Sequence, residues 1–557
     1  MSKALSLLVF SLAAAALSQP LTARAATPAD TVITGGAIYT ADDARPRAEA
    51  VAVSAGRIVY VGDRAGAQAL IGPKTEMIDL KGASLYPGFT DSHAHLDGVG
   101  ARELTLNLEG ARSAADVAAQ VKARLATVKP GEVLVGRGWI ETGWPEKRFL
   151  QASDVDAFSP DTPILLERAD GHALVANTAA LRRAHIDAAT PAPFGGAILK
   201  DEHGQLTGML VDNAMSLVEG LIPAKTDAFR REALKVGMQV EVRYGWTGVH
   251  FMSAPWADVL ALEDMARAGE APLRVYSAVD LEDAQKLFDS GPRRVGDDRI
   301  TTRAIKLYAD GALGSRGAAL FEPYSDAPGV TGLLRNSPKT LAPVMAEAAK
   351  DHIQVCTHAI GDRANAMILD LYAQALTKAG PDARWRIEHA QHIRPIDIPR
   401  FAKLGVIASM QPSHAIGDLH FAQARLGLER LTGAYAWKSL TDSGAVVAGG
   451  SDAPVERGDP MIEFYAAVAR KDLKGFSGAG WRPQEALSRA EALKLFTLNA
   501  AYARFAEQEL GTITVGKRAD LTAFNVDLMT APEADILKGK AQLTMVDGKV
   551  VYRAPGA

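Results

Sequence analysis

An α/β protein centred on a (β/α)8 barrel is the fold class this sequence predicts, and three observations predict it. Eight short β-branched runs alternate with Ala- and Leu-rich helical stretches through the middle of the chain. Several of those runs end in a histidine or an aspartate, where barrel enzymes carry their catalytic groups. Two β-rich segments of one texture flank this middle, so a discontinuous β-sandwich assembled from both chain ends is expected beside the barrel.

In chain order, residues 1–25 read as a cleavable signal peptide. Lys3 precedes the mostly apolar run from Ala4 to Leu17, and Ala23-Arg24-Ala25 matches the small-x-small cleavage rule. That run is too short to span a bilayer, and no later segment is long and apolar enough to do so. A bacterial periplasmic or secreted location is therefore expected. Residues 26–84 alternate Val/Ile/Ala runs with Gly- and Asp-containing turns, and residues 505–557 repeat that style (GTITVGKRADLTAF, LTMVDGKVVYR). Together they form the expected sandwich.

The barrel is expected over 85–504. Its strand candidates are FTDSHAH, GWTGVHFM, LRVYSAVD, AIKLYAD, IQVCTHAIGD, RWRIEHAQ, VIASMQPSH and VVAGGSDAP. The span is too long for a plain barrel of about 250 residues. Setting aside 101–240, between the first two strand candidates, brings the remainder near that size. That stretch is expected to be an insertion capping the barrel mouth and shaping substrate access.

The charge balance narrows the partners. Sixty-one basic residues against 65 acidic ones leave a formal net charge of −4, which offers no field for nucleic acid or anionic lipid. A small-molecule substrate fits better, and a homo-oligomer stays open. The single Cys356 cannot form an internal disulfide, and its apolar neighbours suit a small buried hydrophobe rather than a nucleophile.

His93 and His95 close the first strand candidate two residues apart, so both imidazoles face the same side and suit a zinc-type cation. His358, His389 and Asp452 each end a later strand on the same rim. Converging without a metal, these groups would leave several costly buried polar atoms. Lys306 reads as an inward-facing lysine on the fourth strand. Two readings stand beside each other: an ion pair with Asp310 or Asp452, or a neutral amine that has captured CO2 as a carbamate bridging two metals. Trp139 and Trp144 could wall the substrate site or pack the cap. Arg316 could hold a substrate carboxylate or pair with a loop aspartate, and His250 ends the second strand with a weaker claim to a catalytic role.

The ordered motifs PGFTDSHAHL, KLYADGALGSR, THAIGDRAN, RIEHAQ, ASMQPSH and GSDAPVE resemble the amidohydrolase-3 branch of the amidohydrolase superfamily, which includes the N-substituted formamide deformylases. The tail LFTLNAAYA resembles it too. The resemblance implies that His93, His95 and Asp452 bind one metal and that His358 and His389 bind a second. Carboxylated Lys306 would bridge the two, and Asp452 would be the general base. His172 and His414 resemble positions the family uses near substrate; a structural role stays open for both. Two Zn(2+) per chain are the expectation, although manganese, iron or nickel would suit the same ligands. The implied reaction is hydrolysis of a small carbon–nitrogen bond, a linear amide of N-acyl or N-formyl type, by metal-activated water. An esterase or lactonase on the same site, and a non-catalytic binding or regulatory protein, are the alternatives.

Overall fold

In a computed structural model of the chain, the described residues are 27–129, 131–380, 382–477 and 481–556. The expected signal peptide, 1–25, lies outside them. All eight strand candidates form the barrel: β1 (Phe89–Ala94), β2 (Trp246–Ala254), β3 (Arg274–Asp280), β4 (Ile300–Tyr308), β5 (Gln354–Ala359), β6 (Arg386–His389), β7 (Ile407–Met410) and β8 (Val447–Gly449). Each pairs in parallel with the next. The circle closes just beyond the strand ends, where Ala94 bridges Ala453 and the His95 N–H donates to the Ala453 carbonyl at 2.7 Å.

Strands covered on both faces need apolar side chains outward and close-packed ones inward. Ile305, Val355 and Ile387 are fully buried in the main core. Lys306, Cys356 and Arg386 stand in register on neighbouring strands, and Tyr308, His358 and Glu388 form the next row toward the mouth. Such a barrel floor is unusually polar, and Arg386 ties several of its groups together. The buried Arg386 donates to His250 Nδ1 at 2.8 Å, to the Ser92 carbonyl at 2.6 Å and to Ser409 Oγ at 2.7 Å.

Helix α1 (Leu96–Leu104) starts directly after His95, and α2 (Asp227–Tyr244) leads back into β2. Helix α2 is punctuated at both ends. Thr226 caps its start by accepting from the Phe229 N–H at 3.1 Å, and Gly245 ends it with φ +107°, a conformation that glycine adopts without strain. Between α1 and α2 lies a separate six-stranded sheet, ordered Gly196–Lys200, Leu206–Asp212, Ala173–Ala176, Ile164–Arg168, Leu134–Trp139 and Leu106–Asn107. This sheet, with helices of its own, is the cap. Most of helix α2 falls within the stretch 101–240, yet it packs against α1 and β2, as a barrel helix does.

The two chain ends meet in a pair of facing sheets. One holds Thr31–Thr34, Ala50–Ser54, Arg57–Gly62 and Glu76–Asp79; the other joins Ile38–Tyr39, Arg47–Ala48 and Ser84–Pro87 to the C-terminal strands Leu521–Phe524, Ala541–Val546 and Lys549–Arg553. Ile33, Val51 and Ile58 share a core with Leu85, Leu521 and Met545. Among the described residues, no helix is long and apolar enough to cross a membrane.

Candidate metal centre

At the mouth of the barrel, side chains from β1, β4, β5, β6 and the loop after β8 converge. His93 Nε2 lies 3.4 Å from Asp452 Oδ1, and His95 Nε2 lies 3.2 Å from the same oxygen. Lys306 Nζ is 3.4 Å from His93 Nε2. The His389 ring stands 4.7 Å from that of His93 and 4.6 Å from that of His358. His358 Nε2 is 3.4 Å from the Gly311 carbonyl and 3.5 Å from Asp310 Oδ1. His414 Nε2 approaches Asp452 Oδ2 at 3.5 Å. Strand alternation would turn His389 away from Glu388; left-handed backbone at His389 (φ +72°) and Ala390 (φ +44°) turns the chain instead, and Asp452 has φ +62°. Residues other than glycine rarely adopt such angles, and they cluster at functional sites.

The tautomers separate ligands from helpers. His93 Nδ1 meets Glu388 Oε2 at 2.6 Å, His95 Nδ1 meets the Met252 carbonyl at 3.1 Å, and His389 Nδ1 meets Gln411 Oε1 at 2.8 Å. Each partner is an acceptor, so each Nδ1 carries the proton and each Nε2 offers a lone pair. The Nε2 lone pairs of His93 and His95 thus face a buried carboxylate oxygen that has no hydrogen-bond donor of its own. Electron pairs meeting without a proton between them fit a cation. His414 is the reverse case: its Nδ1 accepts from the Gln391 amide at 2.9 Å, leaving the proton on Nε2, aimed at Asp452. His93, His95 and Asp452 could hold one metal ion; by distance alone His389, His414 and Asp452 could hold another, but the tautomer suits His414 to donating a proton.

Burial pushes His93, His358 and His389 well below the usual histidine range, so all three stand neutral, as metal ligands must. Burial works against the charge on Asp452, but in acid, where the surrounding imidazoles become protonated, their positive charge, that of His93 above all, holds the carboxyl well below the usual range. Lys306 is 1% exposed, and burial lowers its pKa against the pull of Glu388 and Asp452. Among the described residues it forms no ion pair within 4.0 Å with Asp310 or Asp452, so the first reading of this lysine is not realised. Asp310 instead accepts N–H donors from Ala319, Ile360 and Gly361 at 2.8–3.0 Å. Burial raises the Cys356 thiol to about 12, in keeping with an inert core residue.

Above these groups a cavity of about 790 Å³ opens between barrel and cap, lined by His95, Lys306, Tyr308, His358, Asp452 and the cap's His172 among others. The comparisons with known proteins agree with this geometry. A model of the amidohydrolase family (Amidohydro_3) matches residues 76–552. The chain belongs to the amidohydrolase family. It is 34% identical over 530 residues to YtcJ of Bacillus subtilis (strain 168), covering 93% of this chain and 98% of that one. It is 28% identical to the N-substituted formamide deformylase of Arthrobacter pascens over 95% of this chain and 99% of that one. Among solved structures, an uncharacterized metal-dependent hydrolase from Pyrococcus horikoshii OT3 superposes with a TM-score of 0.73 at 28% identity, covering 90% of this chain and 99% of the other.

In this amidohydrolase, His93, His95, Lys306, His358, His389 and Asp452 meet in one place. His172 joins them from the cap, its ring 5.0 Å from that of His358 and its Nδ1 held by Asp212 at 2.6 Å. Trp144 and Arg316 lie elsewhere. Trp144 packs with Trp139 in the core of the cap and donates its indole N–H to the Ala111 carbonyl at 2.8 Å. Arg316 is paired with Asp326 at 3.0 Å, and neither residue lines the cavity. His250 lies in the barrel floor as an acceptor for Arg386. Sequence reasoning missed Glu388, the carboxylate behind His93, although it sits beside His389 in the RIEH motif. It also missed Tyr308 and Arg335, which line the cavity.

Proposed function

We propose that the chain hydrolyses a carbon–nitrogen bond of a small molecule, a linear amide of N-acyl or N-formyl type. The observation that carries this reading is the proton-free meeting of the His93 and His95 Nε2 atoms with Asp452 Oδ1 at the base of a substrate-sized cavity. Family membership and the formamide deformylase relative support the bond type. His93 and His95 with Asp452, and His358 and His389, would hold two divalent cations, zinc by ligand chemistry, with Lys306 between them as a carbamate formed from its amine and CO2 with loss of a proton. When bound, such cations polarise a carbonyl and lower the pKa of water toward neutrality.

The protein's own groups supply the rest. Asp452, ionised, accepts a proton from the attacking water and returns it to the leaving nitrogen. His414 Nε2, 3.5 Å from the other carboxylate oxygen and with no other partner among the described residues, can donate to it and steady the orientation of that base. Tyr308, which shares a hydrogen bond with Ser253 and is raised to about 12 chiefly by burial, stays protonated and can donate to the developing oxyanion. The N-terminal segment 1–25 supports export to the periplasm or beyond.

The test is a panel of N-formyl and N-acyl amides with matched esters, assayed on zinc-loaded protein and on Asp452→Asn. The variant is expected to lose at least ~10²-fold in kcat on amides. Full amide activity with metal bound in the variant would remove the base; turnover of esters alone would replace the amidase reading with an esterase.

A further inference from the structure

The cavity holds a cation that the chain does not neutralise. Of the basic residues lining it, Arg102, Arg137 and Lys225 each have a carboxylate within 4.0 Å, Lys306 lies among the converging ligands, and Arg124, in the last turn of the cap helix Ala114–Leu125, is exposed to solvent; Arg335 has no carboxylate within 4.0 Å among the described residues and is not exposed. Arg335 is half-buried and firmly placed. Its backbone N–H donates to the Ala309 carbonyl at 2.9 Å, at the end of β4. Its Nε donates to Asn213 Oδ1 at 3.0 Å, and the Asn213 amide donates back to the Arg335 carbonyl at 3.1 Å. The neighbouring Asn336 amide ties the same segment to the Tyr308 carbonyl at 3.0 Å. With Nε engaged, the two terminal nitrogens remain for a ligand.

Tyr308 fixes where that ligand would sit. The guanidinium of Arg335 lies 4.6 Å from the centroid of the Tyr308 ring, and Lys306 Nζ lies 5.0 Å from the same centroid. The His358 ring is 5.7 Å from the Tyr308 ring. Arg335 is therefore one aromatic ring away from the converging ligands, within reach of a substituent beside a scissile amide. A planar, permanently charged fork so placed matches a carboxylate.

We propose that Arg335 binds an anionic substituent of the substrate, so that the preferred amides are N-acyl or N-formyl compounds carrying a carboxylate close to the scissile bond, as in N-acylated amino acids. The proposal rests on the amidase reading above and adds its substrate class. Arg316, which the sequence put forward for a carboxylate, is already satisfied by Asp326; Arg335 is not.

The experiment compares N-formylleucine with N-isopentylformamide, the same amide without the carboxylate, on the full zinc-loaded chain. Wild type is expected to favour the anion by about 10- to 100-fold in kcat/KM, mainly through KM. In Arg335→Met that ratio is expected to collapse toward one, and Arg335→Lys is expected to recover part of it. Equilibrium binding of both compounds by calorimetry repeats the comparison without turnover. If neither is hydrolysed but the anion binds at least tenfold tighter and loses that margin in Arg335→Met, the amidase reading falls and the anion site stands. No preference for the anion in either readout, or equal losses for both compounds in Arg335→Met, overturns the proposal.

Discussion

Glu388 is held from two sides: His93 Nδ1 lies 2.6 Å from one oxygen, and Arg386 Nε lies 2.7 Å from the other. All three side chains are fully buried. The carboxylate fixes the His93 tautomer and makes the ring a better donor, the usual work of a carboxylate behind a metal-binding histidine. Glu388→Gln keeps the shape and removes the charge. Metal affinity, read by competition with a chelator, is expected to fall about 10- to 100-fold. Unchanged affinity would reduce Glu388 to a counter-ion for Arg386. The histidines and Asp452 were legible in the sequence because each ends a strand, and a strand end on the C-terminal rim is one place in space. Glu388 and Arg335 were not. Their importance lies in partners 295 residues away, in the case of His93 and Glu388, or in the lack of a partner, and neither shows in local pattern.

Helices α1 and α2 cross where a side chain would not fit. A Cβ on Gly100 would lie 1.7 Å from the Ala233 carbonyl oxygen, and one on Gly237 would lie 2.4 Å from that of Leu96. Helix propensity alone favours Gly100→Ala by about 1 kcal/mol. Overpacking costs about 1–3 kcal/mol, and a rigid backbone neighbour puts this site at the costly end. The net expectation is a loss of about 1–2 kcal/mol in urea unfolding, with weaker metal binding because α1 begins directly after His95. A gain in stability would show that the two helices can separate freely. At this scale all eight barrel strands were legible, since parallel strands buried on both faces read as continuous β-branched runs. Helix α2 was less so: most of it sits inside the stretch that length alone assigned to the cap, and only its packing on α1 and β2 returns it to the barrel.

The sandwich and barrel are joined as one body, and a carboxylate from the C-terminal sandwich holds the joint. Phe89 of β1 packs edge-on against Phe524 at 5.2 Å, so the seam has an aromatic side. Its polar side is Asp547, which pairs with Arg299 at 2.7 Å, Arg518 at 2.9 Å and Arg274 of β3. That both ends would build one sandwich was legible from their shared texture; its seating on the barrel was not, because the seam joins residues some 250 positions apart. Burial would raise the Asp547 carboxyl, but Arg274 and then Arg518 and Arg299 hold it below its ordinary value. A carboxyl depressed in the folded state contributes stability that is present above its unfolded value and lost as pH falls through the folded one. Asp547→Asn is therefore expected to cost about 2–3 kcal/mol at pH 7, less than for a fully buried pair because the site is partly exposed. On metal-free protein, so that loss of metal in acid does not contribute, the gap from wild type in urea unfolding should narrow as pH falls toward and below 4. A gap that stays constant with pH would mean that packing, not the charge of Asp547, locks the two parts together.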